Sequence, residues 1–269
     1  MNFQKSIPSL FLTLYITCLP AFVCAQGDIS AQPYGGKQFM KDFICEELVY
    51  PEKALKNEDE GTVVVSLTVL PDGKTANYRI SESVTPELDR EAMRISKLIM
   101  FYPAVKSAKY IADDVSIPVK FHIKKYKRHC KKNPAEYYEP YSGPVDTSLK
   151  IYPTRVLEQS PRPVFEDPQM TFGKYIMETL KYPKLAFSQN ISGTVELSFV
   201  VEISGRVSNI EVVNMLGGGC TEEAIELIRE IMWKPGIKDG MAVRSFMNAN
   251  IQFNLDNNSQ HQYLPNNNN

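Results

Sequence analysis

Apolar and polar residues alternate along three stretches in the first half of the chain. Alternation with one apolar face is typical of a half-buried antiparallel strand. The sequence therefore predicts three strands whose inward side chains are, in order, Val63, Val65, Leu67 and Val69, then Tyr78 and Ile80, then Val115, Ile117, Val119, Phe121 and Ile123. Asp72-Gly73 supplies a tight turn between the first two strands.

Two further stretches have the period of a helix. Leu88, Ala92, Ile95 and Ile99 form one apolar stripe, and Pro86 suits the first turn of that helix. A shorter amphipathic helix is predicted from Phe39 to Leu48, ended by Tyr50-Pro51, because a residue before proline is pushed out of the helical region. The predicted order of elements is α-β-β-α-β.

The second half of the chain repeats this pattern at an offset of 132 residues without a gap. From Ile44 to Ile123 the two halves share 20 identities in 80 aligned pairs, where composition alone would give roughly five. The repeated helices and strands include Phe172 to Leu180, the strand residues Val195, Leu197, Phe199 and Val201, and the helical stripe Cys220, Ala224, Leu227 and Ile231. The chain therefore contains a duplicated domain.

The predicted fold class is α+β, with two tandem α-β-β-α-β domains. Each is a three-stranded antiparallel sheet with helices packed on one face. We place the domains at 33–124 (copy one) and 163–256 (copy two), and expect each to fold alone. Residues 125–162, rich in Pro, Tyr and charge, are interpreted as a linker, and the Asn-rich end, 257–269, as a disordered tail.

The first 25 residues have the features of a secretory signal peptide. Lys5 precedes an apolar core from Leu10 to Ile16, and Val23-Cys24-Ala25 forms a small-residue cleavage site before Gln26. We therefore predict a mature periplasmic chain that begins at Gln26. Two alternatives remain open, a lipoprotein attached through Cys24 and an uncleaved signal that anchors the protein in the inner membrane.

Charge and composition describe an ordinary globular chain. The sequence has 30 Lys and Arg against 31 Asp and Glu, a net charge of −1, so nothing favours nucleic acid as a partner and any anion binding needs a local patch. One such patch exists between Lys120 and Lys132, where seven basic residues occur without an acidic one. Most such runs are solvated surface.

The sequence gives no sign of an enzyme, a cofactor or a metal site. Its histidines, His122, His129 and His261, are not arranged with a nucleophile or with ligand spacing. The recurring Glu91 and Glu223 lie in different copies and are expected to have structural roles. Trp233 is expected to fill the core, and Gly217-Gly218-Gly219 to form a flexible turn, because the Lys-Ser/Thr of a phosphate loop is missing.

Short motifs found twice in the same order resemble the C-terminal domain of the TonB family of energy transducers. In copy one they are Tyr50-Pro51-Glu52-Lys53-Ala54, Gly61-Thr62-Val63-Val64-Val65, Pro71-Asp72-Gly73-Lys74, Leu88-Asp89-Arg90-Glu91-Ala92-Met93-Arg94 and Ile117-Pro118-Val119-Lys120-Phe121. In copy two they are Tyr182-Pro183, Gly193-Thr194-Val195, Trp233-Lys234-Pro235-Gly236 and Ile251-Gln252-Phe253.

The resemblance implies a non-enzymatic periplasmic protein of Gram-negative bacteria that captures TonB-box segments of outer-membrane transporters. Capture would occur by β-augmentation, in which an extended segment pairs with an edge strand. The implied partner-binding residues are Met247, Asn248, Ala249, Asn250, Ile251, Gln252 and Phe253 in copy two, and Val115, Ile117, Val119 and Phe121 in copy one. Since neither the membrane helix nor the proline-rich spacer of a full transducer is visible, we expect no proton-driven transduction by this chain alone.

Three further expectations concern partners. Pro118 marks the last strand of copy one as an edge, because proline cannot donate a ladder hydrogen bond, whereas its counterpart Asn250 keeps its N–H. Copy two should therefore accept a strand better. The alternative function is a structural envelope protein that contacts peptidoglycan or anionic lipid through Lys124, Lys125, Lys127, Arg128, Lys131 and Lys132. A homodimer is also left open.

Overall fold

The computed structural model describes residues 28–132 and 141–255. The predicted signal peptide and the predicted tail lie outside the described residues. In the described part of the chain, none of the helices is both long enough and apolar enough to cross a membrane.

The described residues of copy one and of the segment before copy two contain eight strands and four α-helices, besides a short 3-10 helix at Thr154–Val156. In chain order these are β1 (Gln32–Pro33), α1 (Gly36–Glu47), α2 (Glu52–Asn57), β2 (Gly61–Val69), β3 (Thr75–Glu82), α3 (Pro86–Ser96), β4 (Phe101–Tyr102), β5 (Ala104–Lys106), β6 (Lys109–Ile111), β7 (Asp113–Phe121), α4 (Ile123–Lys132) and β8 (Ile151–Tyr152).

Copy two repeats the same order with a longer last strand. Its elements are β9 (Arg162–Val164), α5 (Phe172–Thr179), α6 (Lys184–Ser188), β10 (Gly193–Val201), β11 (Val207–Asn214), α7 (Cys220–Glu230), β12 (Met232–Lys234), β13 (Gly236–Lys238) and β14 (Met241–Phe253). The α+β class and the tandem arrangement are confirmed. The short helices α2 and α6, which follow the Tyr-Pro pairs, were missing from the sequence-based prediction.

The two main sheets have the same register. Copy one has the order β3-β2-β7, and copy two has β11-β10-β14, widened to five strands by β13 and β8. Gly61 pairs with Phe121 at one end of the copy-one ladder, and Gly193 pairs with Phe253 in copy two. Each strand position in one copy therefore has a structural counterpart 132 residues away.

Several of the repeated residues are explained by local geometry. Asn77 and Asn209 occupy the same bulge in β3 and β11, with φ of 54° and 51°, a region that Asn tolerates better than most residues. The hydroxyls of Tyr50 and Tyr182 donate to the carbonyls of Asp59 and Ile191, both at 2.5 Å. The Tyr-Pro pair therefore fixes the corner that leads into the first long strand.

The recurring glutamates also have matching structural roles. Glu91 Oε1 accepts a hydrogen bond from the amide of Val49 at 2.8 Å, and Glu223 Oε1 accepts one from Lys181 at 2.9 Å. Each carboxylate thus satisfies a backbone donor just after the first helix of its copy. The structural interpretation of this pair, rather than a catalytic one, is the one that the contacts favour.

The triple glycine of copy two forms a turn in which two of the three glycines are closely packed. Gly218 and Gly219 have φ of 71° and 92°, and a Cβ on Gly218 would lie 2.8 Å from Ala186 of α6. Glycine is needed here both for the left-handed backbone and for the close approach of α6. The sequence predicted a turn here but not its close packing against α6, and the flexibility of the turn stays a prediction.

The predicted linker has a defined structure wherever it is described. Its first residues form α4, and residues 141–162 run along copy two, where Ile151 and Tyr152 of β8 pair in parallel with Arg244 and Ser245. Its composition suggested no element between 141 and 162 because the segments there are short and depend on contacts with copy two rather than on their own periodicity.

The two copies share a buried interface, which the sequence did not predict. Phe39 of α1 is 7% exposed and packs in the core of copy two, while Phe43 of the same helix packs in the core of copy one. Asn209 Nδ2 donates to the Leu98 carbonyl at 2.9 Å, and the Met100 amide donates to Asn209 Oδ1 at 2.7 Å. These contacts argue against the expectation that each copy is structurally independent.

Ion pairs extend the interface at its rim. Arg229 Nη2 of α7 lies 3.1 Å from Glu46 Oε1 and 3.4 Å from Asp42 Oδ2, both on α1. The guanidinium also lies 5.5 Å from the centre of the Phe39 ring. Helix α1 therefore belongs by sequence to copy one but holds both copies together.

Candidate functional site: the outer strand edges

The last strand of copy two has one edge that is largely unpaired. Along its length from Ser245 to Phe253, β14 pairs on one side with β10. Ser245 pairs with both Val201 of β10 and Tyr152 of β8, so β8 must lie on the opposite side of β14. Beyond that point, no strand within 28–132 or 141–255 pairs with the outer side of Phe246–Phe253. We call this stretch the β14 edge.

The start of the β14 edge is set by the linker. The amide of Ala242 donates to the Pro144 carbonyl, and its carbonyl accepts from the Asp146 amide, both at 2.9 Å. Together with β8, this contact leaves no open backbone at Ala242–Ser245 for an extended partner. A strand added to copy two would therefore begin next to Phe246.

The last strand of copy one has the equivalent edge. Among the described residues, β7 pairs only with β2, so its outer side is open from Asp113 to Phe121. Pro118 stands opposite Val64 in this ladder, and Asn250 stands opposite Glu196 at the same position in copy two. The prediction that the Pro118 strand is an edge is confirmed.

Most of the predicted partner-binding side chains point into the cores. Ile117, Val119 and Phe121 of copy one are buried, as are Ala249, Ile251 and Phe253 of copy two, while Val115 and Met247 are half-buried. These residues can offer a partner little beyond their backbone. The alternation of apolar residues implies this burial, because the apolar face of an edge strand is the face that packs against the core.

The exposed side chains of the two edges differ in charge. In β14 the exposed residues are Phe246, Asn248, Asn250 and Gln252, and in β7 they are Asp114, Ser116, Pro118 and Lys120. The sequence-based list omitted Phe246 and the four β7 residues, although alternation would have identified them. A segment added to β14 meets uncharged hydrogen-bonding groups, whereas one added to β7 meets charges at both ends.

The basic run predicted from the sequence forms helix α4 directly after β7. Lys124, Lys127, Arg128 and Lys131 line a surface depression of about 650 Å³, together with Glu58, Glu60, His122 and Ile123. Hydrogen bonds from the Ile123 amide and from His122 lower the pKa of Glu60. Lys125 is exposed beside them, and Lys132 ends the helix.

The described residues contain no cluster of potential metal ligands. No group of three or more His, Cys, Asp or Glu side chains comes close enough to hold a metal ion in that part of the chain. Burial and the nearby Arg206 guanidinium lower the pKa of His129, and burial raises the pKa of the Cys220 thiol. Trp233 is buried in the core of copy two, where sequence placed it.

Comparison with known proteins gives a family match for both copies. The family model described as "Gram-negative bacterial TonB protein C-terminal" matches residues 46–123 and 178–255. Among solved structures, the chain is similar to the NMR solution structure of the Helicobacter pylori TonB C-terminal domain. That match has 21% identity, covers 32% of this chain and 79% of the other, and has a TM-score of 0.24. No curated protein sequence matches.

Proposed function

The chain belongs to the TonB C-terminal family, and we propose that it captures extended segments of outer-membrane transporters, such as TonB boxes, in the periplasm of a Gram-negative bacterium. The family places it among TonB-related protein-interaction modules. Capture itself is proposed to occur by adding the partner as a strand to the β14 edge, and secondarily to β7. The single observation that carries this is the unpaired outer side of Phe246–Phe253.

The β14 edge has the physical properties that strand addition needs. It offers unpaired backbone groups on a strand whose other side is held by nine consecutive pairs with β10, so the acceptor is already ordered. An ordered acceptor reduces the entropy lost on binding, and backbone hydrogen bonds supply affinity with little dependence on the partner's sequence. The neutral exposed side chains leave selectivity to packing and hydrogen bonding.

The test is a titration of the chain from residue 26 to 269 with a synthetic TonB-box peptide, read by backbone amide exchange. The expected result is new protection confined to 246–253, with weaker protection at 113–121. A peptide that is N-methylated at alternate residues is the matched control, because it keeps its side chains but cannot complete the ladder. It should bind at least tenfold more weakly, from the loss of several bonds worth about 1 kcal/mol each.

Other outcomes would overturn the proposal. Equal binding of the N-methylated peptide would exclude strand addition. Protection confined to α4, with binding that weakens steeply as salt rises, would favour the structural alternative of an envelope polymer on the basic helix. Sedimentation of the free chain at the same concentrations shows whether a second copy already occupies the β14 edge as a homodimer, in which case the peptide should dissociate it.

A further inference from the structure

Helix α4 is held against copy one by one of its faces. Ile123 and Tyr126 pack against the core of copy one, and the ring of Tyr126 lies 5.3 Å from that of Tyr50. Glu60 accepts hydrogen bonds from the Ile123 amide and His122 at the start of the helix. These contacts fix the rotation of α4 and decide which of its side chains face outward.

The outward face carries four cations in one row. Lys124, Lys127, Arg128 and Lys131 recur at the i, i+3, i+4 and i+7 spacing of a single helix face, a row about 10 Å long. We call these four residues the α4 basic row. All four are exposed, and within the described residues none of them forms an ion pair with an acidic side chain. Like charges at this spacing repel one another, so a bound anion would relieve repulsion that the free helix retains.

The α4 basic row has no counterpart in copy two. The family match of copy one ends at residue 123, where α4 begins. The residues that correspond to α4 at the 132-residue offset are Leu255 to Leu264, and their sequence contains no Lys or Arg. The positive charge therefore occurs in one copy only, next to the end of its outer strand.

The chemistry of the depression favours phosphate over other anions of the cell envelope. Its lining has three ammonium groups and one guanidinium, which matches phosphate bidentately, against the two carboxylates of Glu58 and Glu60, so positive charge is in excess. The lining contains the His122 imidazole but no Phe, Tyr or Trp ring on which a sugar or a base could stack. Clusters of four or more cations on an amphipathic helix are typical of helices that bind anionic lipids. The net charge of the chain is −1, so attraction to such a surface needs a local positive patch, and this row is one.

We propose that the α4 basic row binds the phosphate groups of anionic phospholipid headgroups at a membrane surface. The site is separate from the β14 edge and goes beyond the proposed capture of transporter segments. It would hold copy one against the membrane through a face that no described element covers. Binding at this site and peptide binding at the β14 edge are expected to be independent.

The test is co-sedimentation of the chain from residue 26 to 269 with vesicles of phosphatidylglycerol mixed with phosphatidylcholine. Vesicles of phosphatidylcholine alone are the reference. The variant Lys127→Gln/Arg128→Gln removes two charges from the row. At about 1 kcal/mol per charge near an anionic surface, it should weaken binding about 30-fold.

A matched control variant is Lys106→Gln/Lys109→Gln. It removes the same charge from the exposed tip of the β5–β6 hairpin, which lies before the start of β7, about 30 Å from α4 along that strand. This variant should bind vesicles like the unchanged chain. Because all four substituted residues are exposed, both variants should fold, and circular dichroism checks that they do.

Three results would overturn the proposal. The first is that the chain binds phosphatidylglycerol vesicles no better than vesicles of phosphatidylcholine alone. The second is that both double variants weaken vesicle binding equally, which would indicate only a general charge effect. The third is binding of glycerol phosphate or of peptidoglycan sacculi that depends on Lys127 and Arg128 while vesicles do not bind. That result would assign the row to a soluble phosphate or to the polymer instead.

Discussion

Arg244 Nε lies 2.7 Å from Glu202 Oε2, and both side chains are almost completely buried where the two copies meet. Arg244 Nη2 also donates to the Leu98 carbonyl of copy one at 2.8 Å, and Nη1 donates to the Leu149 carbonyl of the linker at 3.0 Å. One guanidinium thus joins copy two, copy one and the linker. The corresponding residues of copy one are Ala112 and Leu70, so this pair is specific to copy two.

Removing one partner of this pair should cost far more than removing both. Arg244→Ala leaves Glu202 buried without its ion-pair partner, which is expected to lower the free energy of unfolding by about 3–5 kcal/mol. The double variant Glu202→Leu/Arg244→Ala reproduces the copy-one residues and should lose markedly less than the sum of the two single variants. Urea denaturation of the four proteins of the cycle measures this, and additive losses would contradict it.

A second prediction separates the roles of two phenylalanines on α1. Phe39→Ala should destabilise copy two, because Phe39 packs in its core, and Phe43→Ala should destabilise copy one. Each change is expected to cost about 3–5 kcal/mol, the usual range for a buried Phe. Native-state amide exchange in β10 and in β2 reads the two copies separately. If both substitutions affected only β2, α1 would not be coupling the copies.

The duplication explains how much of this fold could be predicted from the sequence. Strands such as Val63–Val69 and helices such as the one begun by Pro86 have local periodicity, and the repeat confirmed each of them a second time. The edge position of β7 followed from Pro118 alone. These features depend on residues that are close together in the chain.

The interface and the linker could not be predicted in the same way. Phe39 looks like any apolar residue of an amphipathic helix, and nothing in its spacing shows that it packs in the other copy. β8 is only two residues long, and its pairing with Arg244 and Ser245 joins positions about 90 residues apart. Contacts between elements produce no periodicity in the sequence. The start of the β14 edge, which depends on contacts with the linker, therefore could not be predicted from the sequence either.

The third prediction concerns pH. Burial raises the pKa of Glu47 above its usual 4.5, despite the hydrogen bond from Ser204 and the nearby Arg94 guanidinium. The native state therefore holds this proton more tightly than the unfolded chain, so the contribution of Glu47 to stability falls as the pH rises above about 4.5. Glu47→Gln removes this dependence, since glutamine does not titrate.

The free energy of unfolding of Glu47→Gln, relative to that of the unchanged chain, should thus increase between pH 4.5 and pH 7. Urea denaturation at both pH values gives this difference. The other carboxylates are present in both proteins, so their contributions to the pH dependence of the free energy of unfolding cancel in the difference. A constant difference between Glu47→Gln and the unchanged chain would show that the Glu47 pKa is not raised.

The last prediction tests backbone chemistry at the β14 edge. Asn250 and Pro118 have the same position in equivalent ladders, opposite Glu196 and Val64. Since β7 accommodates a proline there while keeping its pairing with β2, the nitrogen at this position faces away from the neighbouring strand. Asn250→Pro should therefore leave β10–β14 pairing intact and remove one outward donor. The lost bond is worth about 0.5–1.5 kcal/mol, or up to roughly tenfold in affinity for a TonB-box peptide.

Asn250→Ala keeps the backbone amide and should bind the peptide nearly as well as the unchanged chain, so it separates the effect of the backbone from that of the side chain. Pro118→Asn should strengthen peptide binding to copy one by a similar factor. Isothermal titration of the three variants in the full chain provides the comparison, and equal affinities for Asn250→Pro and Asn250→Ala would mean that the amide of residue 250 takes no part in binding.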